Sequence, residues 1–143
     1  MTDLAAARAF YVDTLGLQVT HETADTLCLR AMEERGHHCI MLQQAEAASV
    51  AVLGFKVYDD SDLDKAADWF AAKGLPTEWG DRPFQGRTLL TQDLAGVPIE
   101  FYAKMDRLPS IMQHYKLYNG VKPLRIDHFN LFSADVDAAV AFW

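Results

Sequence analysis

Ser61-Asp62-Leu63-Asp64-Lys65-Ala66-Ala67-Asp68-Trp69-Phe70-Ala71-Ala72-Lys73-Gly74-Leu75 reads as one amphipathic helix with both ends marked. The aromatic pair Trp69-Phe70 begins seven residues after Asp62. That is two helical turns, so the aliphatic and aromatic positions share a face. Polar residues ahead of the segment suit an N-cap, and acidic residues in a first turn suit the helix dipole. Gly74 stands where a left-handed residue closes a helix. The pattern occurs twice more: Thr2-Asp3-Leu4 leads to Phe10-Tyr11 and Gly16-Leu17, and Ala134-Asp135-Val136 leads to Phe142-Trp143. An internal repeat of this kind governs how the rest of the chain is read.

Short β-leaning runs separated by turn residues follow the first two helices. Residues 17–20, 26–30 and 39–43 come after the first; 77–79, 87–91 and 97–102 come after the second, with Gly96-Val97-Pro98 as the turn into the last. Residues 50–57 and 124–132 read as strands ahead of the second and third helices. The expected fold class is therefore α+β, built from repeated strand-helix-three-strand (βαβββ) units. The first helix has no strand ahead of it, and the third reaches Trp143 without a closing glycine. The chain is thus expected to be trimmed at both ends relative to a natural protein, with sheet edges left open to association into a homo-oligomer. The expected organisation is a domain of two units over 1–103, a linker helix over 104–120, and the start of a second domain over 121–143.

Composition narrows the partners. Half of the 143 residues are hydrophobic, enough for a core, and the net charge is −7. No basic stripe suits nucleic acid. No apolar run approaches the ~18 residues of a membrane span, and the first residues lack the pattern of a signal peptide. Cys28 and Cys39 are too few for a disulfide framework, which suits reduced thiols in the cytoplasm.

Among the chemistry-bearing residues, Leu124-Arg125-Ile126-Asp127-His128-Phe129-Asn130-Leu131 is the sharpest segment. On a strand, Ile126, His128 and Asn130 share one face. An imidazole beside a carboxamide can line a polar pocket, although a lone strand histidine is most often simply hydrogen-bonded. Glu100 falls on the last strand of the second unit and reads as a structural acceptor or a relic of duplication, because glycine (Gly54) aligns opposite the place of His128. His37, His38 and Cys39 are adjacent, and neighbours on a strand face opposite ways, so this trio does not aim at one ion. His21 and His114 read as solvent-facing. Asp59-Asp60-Ser61-Asp62 reads as a helix start, since it lacks the glycine and distal glutamate of a calcium loop. Phe10, Tyr11, Trp69 and Phe70 read as core packing.

Met1 to Leu42, with Asp13-Thr14-Leu15-Gly16-Leu17 and His37-His38, resembles the extradiol catechol dioxygenases of the vicinal oxygen chelate superfamily, in particular their homoprotocatechuate 2,3-dioxygenase branch. So do Gly96-Val97-Pro98-Ile99-Glu100-Phe101-Tyr102 and Tyr115 to Asn130, whose Asp127-His128-Phe129-Asn130 is the most specific part. The repeated unit alone supports only the superfamily, known as the glyoxalase/bleomycin resistance/extradiol dioxygenase fold.

The resemblance implies an N-terminal pair of units that is a metal-free scaffold. It implies a C-terminal pair that holds Fe(II), or Mn(II), through two histidines and a glutamate, a set that leaves three positions open for reactants. His128 matches the first histidine, and Asn130 matches a neighbour of the substrate pocket. The remaining ligands and the acid-base group fall beyond Trp143. The implied partners are a small aromatic catechol and O2. This chain alone is expected to bind no cofactor metal stably and to be inactive. Two rivals share the fold: a glyoxalase-type metalloenzyme and a non-enzymatic small-molecule-binding protein.

Overall fold

The computed structural model describes every residue from Met1 to Trp143, and internal contacts divide them into two units. The first comprises Met1–Ser49 and Asp106–His128; the second comprises Val50–Met105 and Phe129–Trp143.

In the first unit, Asp3 caps helix α1 (Leu4–Arg8), its carboxylate accepting the Ala6 amide at 2.8 Å. A wider π turn follows over Ala9–Thr14, in which the Leu15 amide donates to the Phe10 carbonyl at 2.9 Å. The cause lies in the spacing. Asp3 to Gly16 is one residue longer than Asp62 to Gly74, and a π turn absorbs an inserted residue without breaking the helix. Strands β1 (Gln18–Glu22), β2 (Thr26–Arg30) and β3 (Ile40–Gln43) form an antiparallel sheet in that order. Leu27 and Leu29 are fully buried, packed with Ala7, Leu17, Ala31 and Leu42. Each such side chain contributes about 1.5–3 kcal/mol. Cys28 and Arg30 are the alternate residues of β2 and belong to the other face of the sheet.

The helix expected over 104–120 is reduced to one 3₁₀ turn, Tyr115–Leu117. Tertiary partners claim the backbone earlier in the segment. Leu108 donates to the Arg35 carbonyl at 2.9 Å, Arg107 bridges Gly36, and the Arg30 guanidinium donates to the Pro109 carbonyl at 2.9 Å. The chain then crosses the end of the π turn. Val121 and Lys122 donate to the carbonyls of Thr14 and Leu15 at 3.1 and 2.8 Å. Gly16 (φ +86°) and Gly120 (φ +57°) allow this approach. A Cβ at Gly16 would overlap the Asn119 carbonyl, and one at Gly120 would overlap the Thr14 carbonyl.

The second unit shows the complete repeat. Strand β4 (Leu53–Lys56) leads to helix α2 (Asp60–Ala72), then to β5 (Glu78–Arg82), β6 (Gly86–Gln92) and β7 (Pro98–Tyr102). The sheet order is β4-β7-β6-β5, with β4 parallel to β7 and the other pairs antiparallel. Asp59 and Asp62 form a capping box at the start of α2. Leu63 and Phe70 bury the inner face of α2, Leu63 clustering with Leu89 and Ala103. Helix α3 (Val136–Phe142) sets Phe142 against Trp69 and Phe70.

Two further expectations are corrected. Only the second aromatic of the first two pairs packs inward: Phe70 is buried, and Tyr11 packs on the first core, whereas Phe10 and Trp69 are 51% and 45% exposed. Consecutive helical residues point about 100° apart, so one sheet cannot cover both. Residues 124–132 form no strand, because no ladder pairs with them. Backbone bonds reach the region only at its start, where Met32 and Glu33 donate to the carbonyls of Pro123 and Leu124 at 3.1 and 2.8 Å. No helix is long and apolar enough to cross a membrane.

Candidate functional site

His128 is solvent-exposed, its side chain 77% accessible, with Nδ1 3.3 Å from the Asp127 carboxylate. Asp127 also faces the Arg125 guanidinium at 3.7 Å. Asn130 is exposed as well. A facial metal site needs three donors converging on one point. The residues present do not provide that around His128, so no catalytic step follows from them.

Glu100 is the opposite case, a buried carboxylate with every neighbour in place. Arg82 Nε donates to its Oε2 at 2.9 Å and Gln85 Nε2 to its Oε1 at 2.8 Å. The parallel β4–β7 register sets Gly54 directly across from it. Glu100 is therefore a structural acceptor, with charge supplied by Arg82.

The concavities of the second unit lie against residues 131–143, walled by Asp93, Ala95, Leu131, Val136, Ala139 and Trp143. The carboxylates there are engaged: Asp93 accepts the amides of Ala95 and Val97 at 2.9 and 2.8 Å, and Asp135 accepts that of Ala138 at 2.9 Å. The walls are otherwise mainly apolar and carry no convergent polar set.

A cluster that sequence reasoning missed lies in the first unit. Cys28, His37 and His38 bring one ligand atom each to within 4.8 Å of one another. Cys39 is not the sulfur involved, because it packs against the core of this unit; burial pushes its thiol up to about 11 and raises that of Cys28 as well. Cys28 supplies the sulfur instead, from β2. The signal was hidden because the loop 31–39 folds back, with Gly36 bridging Arg107, and sequence spacing does not show that turn. Burial holds His37 below its ordinary 6.5; Asp106 opposes that shift, while His21 and Arg30 add to it.

Residues 1–101 match the Glyoxalase/Bleomycin resistance protein/Dioxygenase superfamily, and the chain belongs to that family. Over 99% of its length it superposes on homoprotocatechuate 2,3-dioxygenase from Arthrobacter globiformis, at 35% identity and a TM-score of 0.95, covering 45% of that chain. The same enzyme from Brevibacterium fuscum, in complex with 3,4-dihydroxyphenylacetate, matches at 34% identity and a TM-score of 0.94, with 45% of it covered. A manganese-dependent 2,3-dihydroxybiphenyl 1,2-dioxygenase of Geobacillus genomosp. 3 is 27% identical over 88% of this chain and 44% of the relative. The chain thus spans less than half the length of these relatives, all of them dioxygenases by name.

Proposed function

We propose that this chain is part of an extradiol dioxygenase that inserts O2 beside the diol of a homoprotocatechuate-like catechol. The observation that carries the reading is the superposition on homoprotocatechuate 2,3-dioxygenase over nearly the whole chain, at 35% identity. In this reading residues 1–103 are scaffold, 104–120 link, and 121–143 open the catalytic domain. His128 is one ligand of Fe(II) or Mn(II), and Asn130 lies beside the substrate pocket. The other ligands belong to the part of the relatives that this chain does not span, so the 143 residues alone are inactive. The enzyme is cytoplasmic and self-associating.

The test compares this chain with the full-length protein, each loaded anaerobically with Fe(II) or Mn(II) and given 3,4-dihydroxyphenylacetate and O2. The full-length protein is expected to consume O2 and form a ring-opened product, and to lose metal and activity on His128→Ala. This chain is expected to do neither. Absence of ring cleavage with both metals, or full activity in His128→Ala, would sink the reading.

A further inference from the structure

Cys28 and His37 are buried and His38 half-buried, with their ligand atoms within 4.8 Å of one another. The two imidazoles meet through Nδ1 atoms 3.0 Å apart. At that distance one ring donates its N–H to the other's lone pair, so both nitrogens converge on one point, where a metal ion takes the place of the shared proton. Cys28 adds a sulfur on the same side. His21 is the ladder partner of Cys28 across β1 and β2, and directly opposed residues project to one face of a sheet.

We propose that Cys28, His37 and His38 hold a zinc ion in the first unit, with His21 closing the fourth position. A thiolate with imidazoles is the donor set of zinc, which imposes no geometry of its own and accepts a tetrahedron. Bonds of about 2.0–2.3 Å place tetrahedral ligand atoms roughly 3.3–3.8 Å apart, so side-chain shifts of about 1 Å bring Cys28, His37 and His38 onto one ion. On binding, the Cys28 S–H bond breaks and its proton passes to solvent, the proton shared by His37 and His38 moves to a ring nitrogen that does not bind, and the sulfur and the imidazoles donate electron pairs to zinc. Arg30 lies close enough for its charge to act on His37, which disfavours a cation; Asp106 and the new thiolate offset it. With four protein ligands the ion is structural. It pins the loop 31–39 to β2, and it is independent of His128.

Co(II) titrated into the reduced 143-residue chain tests this by spectrum. The expected result is one cobalt per chain, with a thiolate-to-cobalt charge-transfer band and intense tetrahedral d–d absorption, both abolished by Zn(II). Cys28→Ser removes the charge-transfer band, Cys39→Ser leaves it, and His38→Ala weakens binding roughly tenfold or more. Circular dichroism establishes that each variant folds. A folded wild type without the band, its survival in Cys28→Ser, or its loss in folded Cys39→Ser overturns the site. If Cys28→Ser does not fold, unchanged cobalt affinity in both His38→Ala and His21→Ala overturns it.

Discussion

Gly54 and Glu100 are direct partners in the parallel β4–β7 ladder, and a Cβ at Gly54 would lie 3.9 Å from Glu100 Oε1. The repeat aligns Gly54 with His128. The second unit therefore sets a glycine, not a histidine, opposite its buried carboxylate. The positive charge at its carboxylate comes from Arg82 Nε at 2.9 Å.

Removing that charge should cost stability. Arg82→Ala leaves a buried carboxylate with Gln85 alone, and we expect a loss of about 2 kcal/mol in urea denaturation. The loss is smaller than for a fully buried pair because the Arg82 side chain is 39% exposed. Gly54→Ala meets only ordinary contacts and should be neutral or gain a few tenths of a kcal/mol. An Arg82→Ala variant as stable as wild type would show that the ion pair is not what accommodates Glu100.

Three glycines with positive φ separate backbone conformation from crowding. Gly74 (φ +71°) has nothing within 4 Å of a built Cβ, so Gly74→Ala should cost about 1 kcal/mol. Gly16→Ala and Gly120→Ala also push a methyl into a carbonyl, and each should cost about 3 kcal/mol or more. Equal losses at all three, read from denaturation midpoints, would mean that the crossing is not close.

The acid limb should belong in part to hydroxyl-bonded aspartates. The Ser61 hydroxyl holds Asp59 below its ordinary 3.8, and the Thr23 and Thr26 hydroxyls do so for Asp25. A carboxyl lowered in the folded state takes up its proton later than in the unfolded chain. Its stabilising contribution is full above 3.8 and is lost as pH falls through the lowered folded value. The gap in urea midpoint between wild type and Asp59→Asn should thus be constant from pH 5 to 7, by this linkage, and close below about pH 4. Lys65, raised above 10.5 by Asp62, follows the reverse sign: its contribution is complete below 10.5 and fades as pH climbs through the raised value. A gap that persists at pH 2 would exclude the aspartate charge as its source.

His128→Ala should leave the stability of this chain within about 0.5 kcal/mol of wild type, because the side chain packs against little. A larger loss in the same denaturation assay would place residues 124–132 in a packed strand.

Helix α2 was legible because Asp59, Leu63, Phe70 and Gly74 carry cap, face and stop within one local pattern. The π turn was also written locally, as the extra residue before Gly16, but spacing alone does not say whether an insertion widens a helix or ends it. The 104–120 segment misled because Leu108, Ile111 and Tyr115 keep a helical period while Arg30, Arg35 and Gly36 capture the backbone from afar. Glu100 was legible through the alignment of Gly54 with His128. The Cys28-His37-His38 cluster was not, since it depends on how the loop 31–39 returns across a sheet whose register no local pattern states.

The strap that crosses Gly16 has a consequence for synthesis. A ribosome releases the first three strands long before Gly120, nearly 80 residues later, which at 5–20 residues per second is a delay of roughly 4–15 s. Through that interval the nascent sheet lacks the segment that lies over its first helix. Codon usage between residues 49 and 120 therefore sets how long this half waits, and slow codons there would lengthen its exposure to chaperones and to other nascent chains.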